Sequence, residues 1–274
     1  MDPNNNAAAT QDRIRRLITY LPALRDGQLI WVERIVLQFR RPKTFWMNPA
    51  SDLVTPGFLE DFGDALRIHH CFSDEAFAKD KFEYTAVSVW QQGGMTAALA
   101  ARNNPGHDMT LGQQRISLKT QADKSLRLNT VNLHKFMELG KGVWTDQLTD
   151  LNALLAQFLH HLHGYDRILV LRNIGKPLPQ HPYWRYELVE IPIALLQRAT
   201  TGRMEMMMDS IQLPKPGYCY VTDDAGQPAF RLYFDGGTER KLKVQNIRKD
   251  LCVVHAEWEF IVRELDEAPP FVSA

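Results

Sequence analysis

Only three cysteines occur in the 274 residues, Cys71, Cys219 and Cys252, far apart and with no CxxC pair. That excludes a disulfide scaffold and a clustered thiolate metal site, and it suits a reducing, cytoplasmic interior. No apolar run approaches the ~20 residues needed to cross a bilayer, so no membrane span is expected. The first ten residues, Met1 to Thr10, are polar and lack the basic-then-apolar order of a secretory leader. Net charge is missing too: 32 basic side chains balance 32 acidic ones, which argues against bulk coating of nucleic acid but leaves room for one local basic cleft. No period of 20 to 50 residues is visible, and a repeat architecture is excluded with it. What remains, 45% hydrophobic and 23% charged, can bury a substantial core as one large domain or a domain with an appendage.

Along the chain, residues 1–10 read as a disordered tail and 11–57 as a helical attachment. Residues 58–262 read as the main domain with a β-rich C-terminal part, and 263–274 as a second tail. Ile14, Leu17, Ile18 and Leu21 recur at helical spacing, as do Leu29, Val32, Ile35, Val36 and Phe39, with a break around Pro22 to Gly27. Asn48 to Gly57 reads as a loop. Ser73 is the expected N-cap of a helix carrying Phe77, Phe82, Val87 and Trp90 and closed by Gly93-Gly94. A turn at Asn103 to Gly106 precedes a hairpin, His107 to Leu111 and Arg115 to Thr120, joined by Gly112-Gln113. Leu148 to His163 predicts a helix that feeds the buried strand Arg167 to Leu171. Tyr186 to Ile191 is a strand, Ile193 to Ala199 a helix, and Tyr218 to Val262 alternates like antiparallel strands. Strands and helices mix without strict alternation. The fold class is α/β or α+β, a central mixed β-sheet flanked by helices.

One juxtaposition can carry chemistry. Asp108 on the first hairpin strand and Lys119 at the end of the second can meet at one point. Phosphodiester hydrolysis assisted by Mg²⁺ needs such a point: carboxylates to hold the ion, and an ammonium beside the attacking water. The position two before the lysine, where a second acid is usual, is Ser117, a poor Mg²⁺ ligand. Glu83, on the preceding helix, is the candidate second acid, with Glu75 next. Asp108 and Glu83 are therefore the expected metal-holding pair and Lys119 the water-activating group, with Ser117 and Gln121 in support. The same pattern also describes a surface hairpin with solvated ends.

Longer literal runs add a family. Asn104 to Asp108, Ser117 to Lys124, His134 to Gly142, Tyr186 to Pro192, Pro214 to Cys219 and Leu232 to Leu242 resemble the SmaI-type type II restriction endonucleases, and Asp61 to His70 extends the likeness upstream. The resemblance implies a PD-(D/E)XK nuclease core, Mg²⁺, a homodimer, double-stranded DNA as partner, a bacterial cytoplasmic setting and a palindromic G·C-rich target such as CCCGGG. His107 stands where that superfamily usually has proline, and Ser117 where it has the middle acid.

Other features are weighed against plainer readings. His160, His161 and His163 lack further ligands at zinc spacing and read as a helix end. His69-His70-Cys71 is equally thin as a site. Met204 to Met208 reads as a packed strand or a flexible apolar contact. Lys135, Lys141, Arg240 and Lys241, with Lys243, Arg248 and Lys249 nearby, are local basic spots that suit either phosphate contact or a solvated face. Gln121 can orient a phosphate or serve as a strand-end amide. Three functions stay in view: a restriction endonuclease, a nicking or repair nuclease, and a DNA-binding protein without catalysis.

Overall fold

A computed structural model describes residues 3–101, 106–123, 126–140, 144–178 and 180–262. The turn expected at Asn103 to Pro105, Lys141 and the C-terminal tail lie outside them. The N-terminal helical pair forms as expected: α1 (Pro3–Tyr20) and α2 (Asp26–Arg40), separated by a 3-10 turn at Leu21–Ala23. Helix α1 begins inside the stretch read as a tail. Strand β1 (Lys43–Met47) follows at once and pairs with β12 (Val253–Ile261), so residues read as part of the attachment belong to the main sheet.

Helix α3 (Pro56–Phe72) opens on the Pro56-Gly57 pair that had read as loop. Proline at the first helical position loses no bond, because that N–H has no intrahelical partner. Thr55 caps the helix, its Oγ1 accepting from Phe58 N at 3.1 Å. Phe58, Phe62 and Leu66 form the buried face, each contributing roughly 1.5–3 kcal/mol by leaving water. Gly63 lets that face approach closely, since a Cβ there would meet Phe45 Cε2 at 2.4 Å and Trp258 Cδ1 at 2.6 Å.

Ser73 is not a helix N-cap. It terminates α3, and α4 (Lys79–Gln92) starts after Ala78 with no side-chain cap. The intervening backbone is diverted, because Phe77 is buried and its N–H donates to Tyr186 Oη at 3.1 Å. Tertiary burial overrides the local capping signal here.

The main sheet has seven strands in the order β1-β12-β7-β6-β4-β3-β2, with β2 (Ala97–Leu99), β3 (Met109–Leu111), β4 (Gln114–Gln121), β6 (Arg167–Gly175) and β7 (Tyr183–Glu190). All neighbours are antiparallel except β4 and β6, which run parallel. Between those two the chain leaves the sheet to make β5 (Thr130–Glu138) and α5 (Leu148–His161). A second, antiparallel sheet has the order β5-β11-β10-β9-β8, with β8 (Arg203–Met206), β9 (Gly217–Thr222), β10 (Pro228–Phe234) and β11 (Lys241–Arg248). The short α6 (Ile193–Gln197) leads into it. The C-terminal strands are antiparallel as expected, but β12 returns to the main sheet. Met204 and Met206 pack on the core from β8, while Met208 is exposed.

Two apolar clusters sandwich the main sheet. Leu169 and Leu171 enter one with α3 and α4; Ile168 and Val170 enter the other with α5 and the second sheet. A strand buried on both faces must read as a continuous apolar run, which is what made β6 visible in the sequence.

His70 belongs to this core. It stacks on Trp184 at 3.6 Å, contacts Tyr186 Oη at 2.8 Å through Nε2, and burial pushes its pKa down to about 3. Below pH 6.5 the unfolded chain takes up a proton that native His70 refuses, so stability falls as pH drops toward 3. Between pH 7 and pH 5 this group alone removes roughly 2 kcal/mol. Native-state NMR should show the His70 ring neutral at pH 5; a ring titrating near 6.5 contradicts its placement.

Candidate functional site

Asp108 is held by the hairpin itself. Gly112, at φ +59°, makes the two-residue turn that sets β3 against β4. Asp108 N donates to Ile116 O at 2.9 Å, which extends the ladder one step beyond β3. Its carboxylate then divides. Oδ2 accepts from Leu118 N at 2.6 Å and from Ser117 Oγ at 3.2 Å, while Oδ1 receives Lys79 Nζ at 2.7 Å. The serine in the middle-acid position thus orients Asp108.

Lys79 supplies the link to Glu83. The two lie one turn apart on α4, and Lys79 Nζ also meets Glu83 Oε1 at 2.9 Å. One ammonium joins both acids. Burial opposes its charge, yet the hydrogen bonds it donates to Asp108 and Glu83 outweigh that and raise its pKa. Lys119 lies within the field of all three groups. Burial lowers its pKa, the neighbouring acids oppose the shift, and Lys79 reinforces it. Glu83, Asp108 and Lys119, picked from residue type and spacing, converge in space. Lys79 was missed, although its i, i+4 relation to Glu83 was a usable signal. Glu75 is exposed in the segment before α4.

A cleft of about 410 Å³ opens beside Lys79 and Lys119, walled on its other side by Leu133 to Met137 of β5. Strand β5 then continues to a second cavity of about 740 Å³ lined by Glu138, Gly140, Gly236, Gly237 and Arg240. The basic candidates separate accordingly. Lys135 lines the first cleft and pairs with Glu138 at 2.7 Å; Arg240 lines the second, where Lys241 pairs with Glu239 at 2.8 Å.

Gln121 has a different surrounding. It is buried, its Oε1 accepting from Arg172 Nε at 2.9 Å and Asn132 N at 3.3 Å. Arg172 is fully buried and pairs with the equally buried Glu187, which also receives Lys249. The same guanidinium donates to the carbonyls of Arg127 at 2.8 Å and Thr130 at 2.7 Å. This buried charge node joins β4, β6 and β7 of the main sheet to β5 of the second and to Lys249, in the turn just after β11. Sequence reading missed it; a charged residue directly after an apolar strand run was its only trace. His160 and His163 sit together at 6.2 Å between rings. Among the described residues no group of three or more His, Cys, Asp or Glu can hold a metal.

The family model for SmaI, a type II site-specific deoxyribonuclease, matches residues 17–260. The chain belongs to that family. It is also similar to the type II restriction enzyme SmaI of Serratia marcescens, 38% identical over 239 residues that cover 87% of this chain and 92% of the relative. No solved structure matches. As a member of the SmaI family the chain is a DNA-hydrolysing type II restriction endonuclease, and DNA is its partner. The matched span begins inside α1 and ends inside β12, so it takes in both sheets and the whole convergence at Lys79.

Arg172→Met should be costly, because it strips Glu187 of its buried partner. The expected loss is about 3–5 kcal/mol, read as a lower urea midpoint. Adding Glu187→Leu to that variant should recover part of it, whereas equal stability of Arg172→Met and wild type removes the node from the account.

Proposed function

We propose that this chain is a Mg²⁺-dependent homodimeric endonuclease of the bacterial cytoplasm. Its target is a short palindromic G·C-rich duplex site, CCCGGG being the first to test, and it leaves 5′-phosphate and 3′-hydroxyl ends. The observation that carries this reading is the shared cation: Lys79 Nζ lies 2.7 Å from Asp108 and 2.9 Å from Glu83. Two carboxylates already turned toward one positive centre are a fitting donor pair for a divalent ion. The rest of its oxygen shell is left to water and phosphate, as Mg²⁺ prefers.

An ion held by Glu83 and Asp108 would supply Lewis acidity at the scissile phosphate. Ser117 and Leu118 N keep Asp108 aimed. Lys119 places its ammonium where charge builds on the phosphoryl oxygens, and it orders the attacking water. The water oxygen joins phosphorus, the bond from phosphorus to the 3′ oxygen breaks, and the departing alkoxide takes up a proton. Lys79 neutralises the two acids when no divalent ion is present. Strand β5 gives the duplex a path from the Lys119 cleft to the cavity at Arg240, with Lys135, Lys141, Arg240 and Lys241 as phosphate contacts. Two copies related by a two-fold axis serve the two strands of a palindrome.

Plasmid incubated with purified protein and Mg²⁺ should yield discrete linear fragments with mappable ends, and none with EDTA. Open circles would favour nicking, and a gel shift alone an inert binder. Asp108→Ala, Glu83→Gln and Lys119→Ala should each slow single-turnover cleavage by on the order of 100-fold or more while retaining DNA binding. Wild-type cutting by any of them withdraws that residue's role. Lys79→Met should bind Mn²⁺ several-fold more tightly without DNA, measured by calorimetry, since a competing ammonium is gone. Unchanged affinity removes Lys79 from the ion's position.

A further inference from the structure

Past Lys119, strand β4 leads through a series of polar side chains back to the cleft. Buried Arg172 holds the Oε1 of Gln121, whose Nε2 donates to Asp123 Oδ2 at 3.3 Å. The same carboxylate oxygen lies 2.8 Å from Nε2 of His134, on β5. An ionised carboxylate only accepts, so Nε2 of His134 bears a hydrogen and points it at Asp123. The ring is anchored by that bond, and Nδ1 is the nitrogen left over. Among the described residues none bonds to it. The imidazole is open to solvent, 63% of its side chain being exposed, and it lines the cleft of about 410 Å³ beside Lys79, Lys119 and Lys135.

The described lining of this cleft holds three lysines and no carboxylate. Lys79 is taken up by Asp108 and Glu83, and Lys135 by Glu138, which leaves Lys119 and His134 for an anion from outside. We infer that His134 contacts a phosphodiester: its Nδ1 donates to a non-bridging oxygen of the DNA backbone, next to the phosphate that Lys119 serves. Contacts of this kind set the register of a duplex without reading its sequence. Donation from both nitrogens requires the protonated ring. A proton on His134 and a phosphate at Nδ1 therefore strengthen each other's binding by linkage. The charged groups that share the cleft with the ring are Lys119 from β4, Lys79 from α4 and Lys135 on β5 itself, while Asp123, just past β4, touches it. Across on β11, Val244 pairs with Leu133, and the adjacent Lys243 is neutralised by Asp235 at 2.7 Å. The part of DNA affinity that His134 supplies should rise as pH falls from 8 to 6.

This inference rests on the reading of the cleft as the nuclease site, and the experiment separates the two. Binding of the full chain to two short duplexes, one with CCCGGG and one of unrelated sequence, is followed by fluorescence anisotropy in EDTA between pH 6 and pH 8. His134→Gln places an amide where Nε2 meets Asp123 but nothing at Nδ1. It should weaken binding of both duplexes about 10-fold at pH 6 and little at pH 8, with unchanged far-ultraviolet circular dichroism. Its salt slope at pH 6 should be shallower by about 0.9, one phosphate contact fewer. His134→Asn, which sets an amide N–H at the Nδ1 position, should recover part of the loss without pH dependence. A role confined to pinning Asp123 predicts the reverse, with Gln tolerated and Asn not, and that order overturns the inference. So does wild-type affinity of His134→Gln at both ends of the pH range, or a loss restricted to the CCCGGG duplex, which marks a base contact. The nuclease reading stands through all three. Wild-type plasmid cleavage by both Asp108→Ala and Lys119→Ala withdraws that reading, and the phosphate's place with it.

Discussion

Asp108 is the residue on which the proposed site depends, and the fold itself fixes its direction. One carboxylate oxygen is committed to the hairpin through Leu118 N and Ser117 Oγ, and the other is left to face a cation. An acid bound this way cannot rotate without breaking a charge-assisted bond inside the protein, which is worth more than one at the surface. Its direction is therefore set by β4, the strand that also carries Lys119. Glu83 comes from the opposite side, on a helix packed through Phe82, Ala86 and Trp90. The site is rigid because its two halves rest on different parts of one core.

Ser117 stands where an acid was expected, and its side chain has a definite partner instead. A hydroxyl in place of a carboxylate removes one negative charge from a buried place. It also adds a donor, and that donor goes to Asp108. Glu83 of α4, proposed as the second acid, pairs with the same Lys79 ammonium as Asp108. Farther along the same strand, Gln121 turns inward to Arg172, and the strand that began as half of the site ends as an anchor between sheets. Function and scaffold thus share eight residues of one strand. Their alternation puts Ser117, Lys119 and Gln121 on one face and Ile116 and Leu118 on the other.

Much of this was readable in advance, for identifiable reasons. The hairpin announced itself through Gly112, and β6 through an apolar run. The helical pair showed in its three-and-four spacing, and Asp108 with Lys119 in their distance across a hairpin. Helix α3 was hidden by Pro56-Gly57, since a proline that opens a helix and one that breaks it look alike without the cap. Ser73 misled for the complementary reason: a good capping residue gains nothing if Phe77 must be buried first. Lys79 was overlooked because a lysine on a helix is ordinarily solvated, and only contact with Asp108, 29 positions away, gives it a place.

Composition and pattern alone determined the mixed class of fold, the two N-terminal helices and the hairpin that brings Asp108 beside the strand of Lys119, because these follow from local periodicity and turn chemistry. Tertiary structure decided the rest. It settled that β1 and β12 close one edge of the main sheet, that a buried Arg172–Glu187 pair joins the two sheets, and that two acids on separate elements share one ammonium. Those are long-range pairings, and a chain's local preferences do not encode which distant partner will satisfy a charge once water is gone.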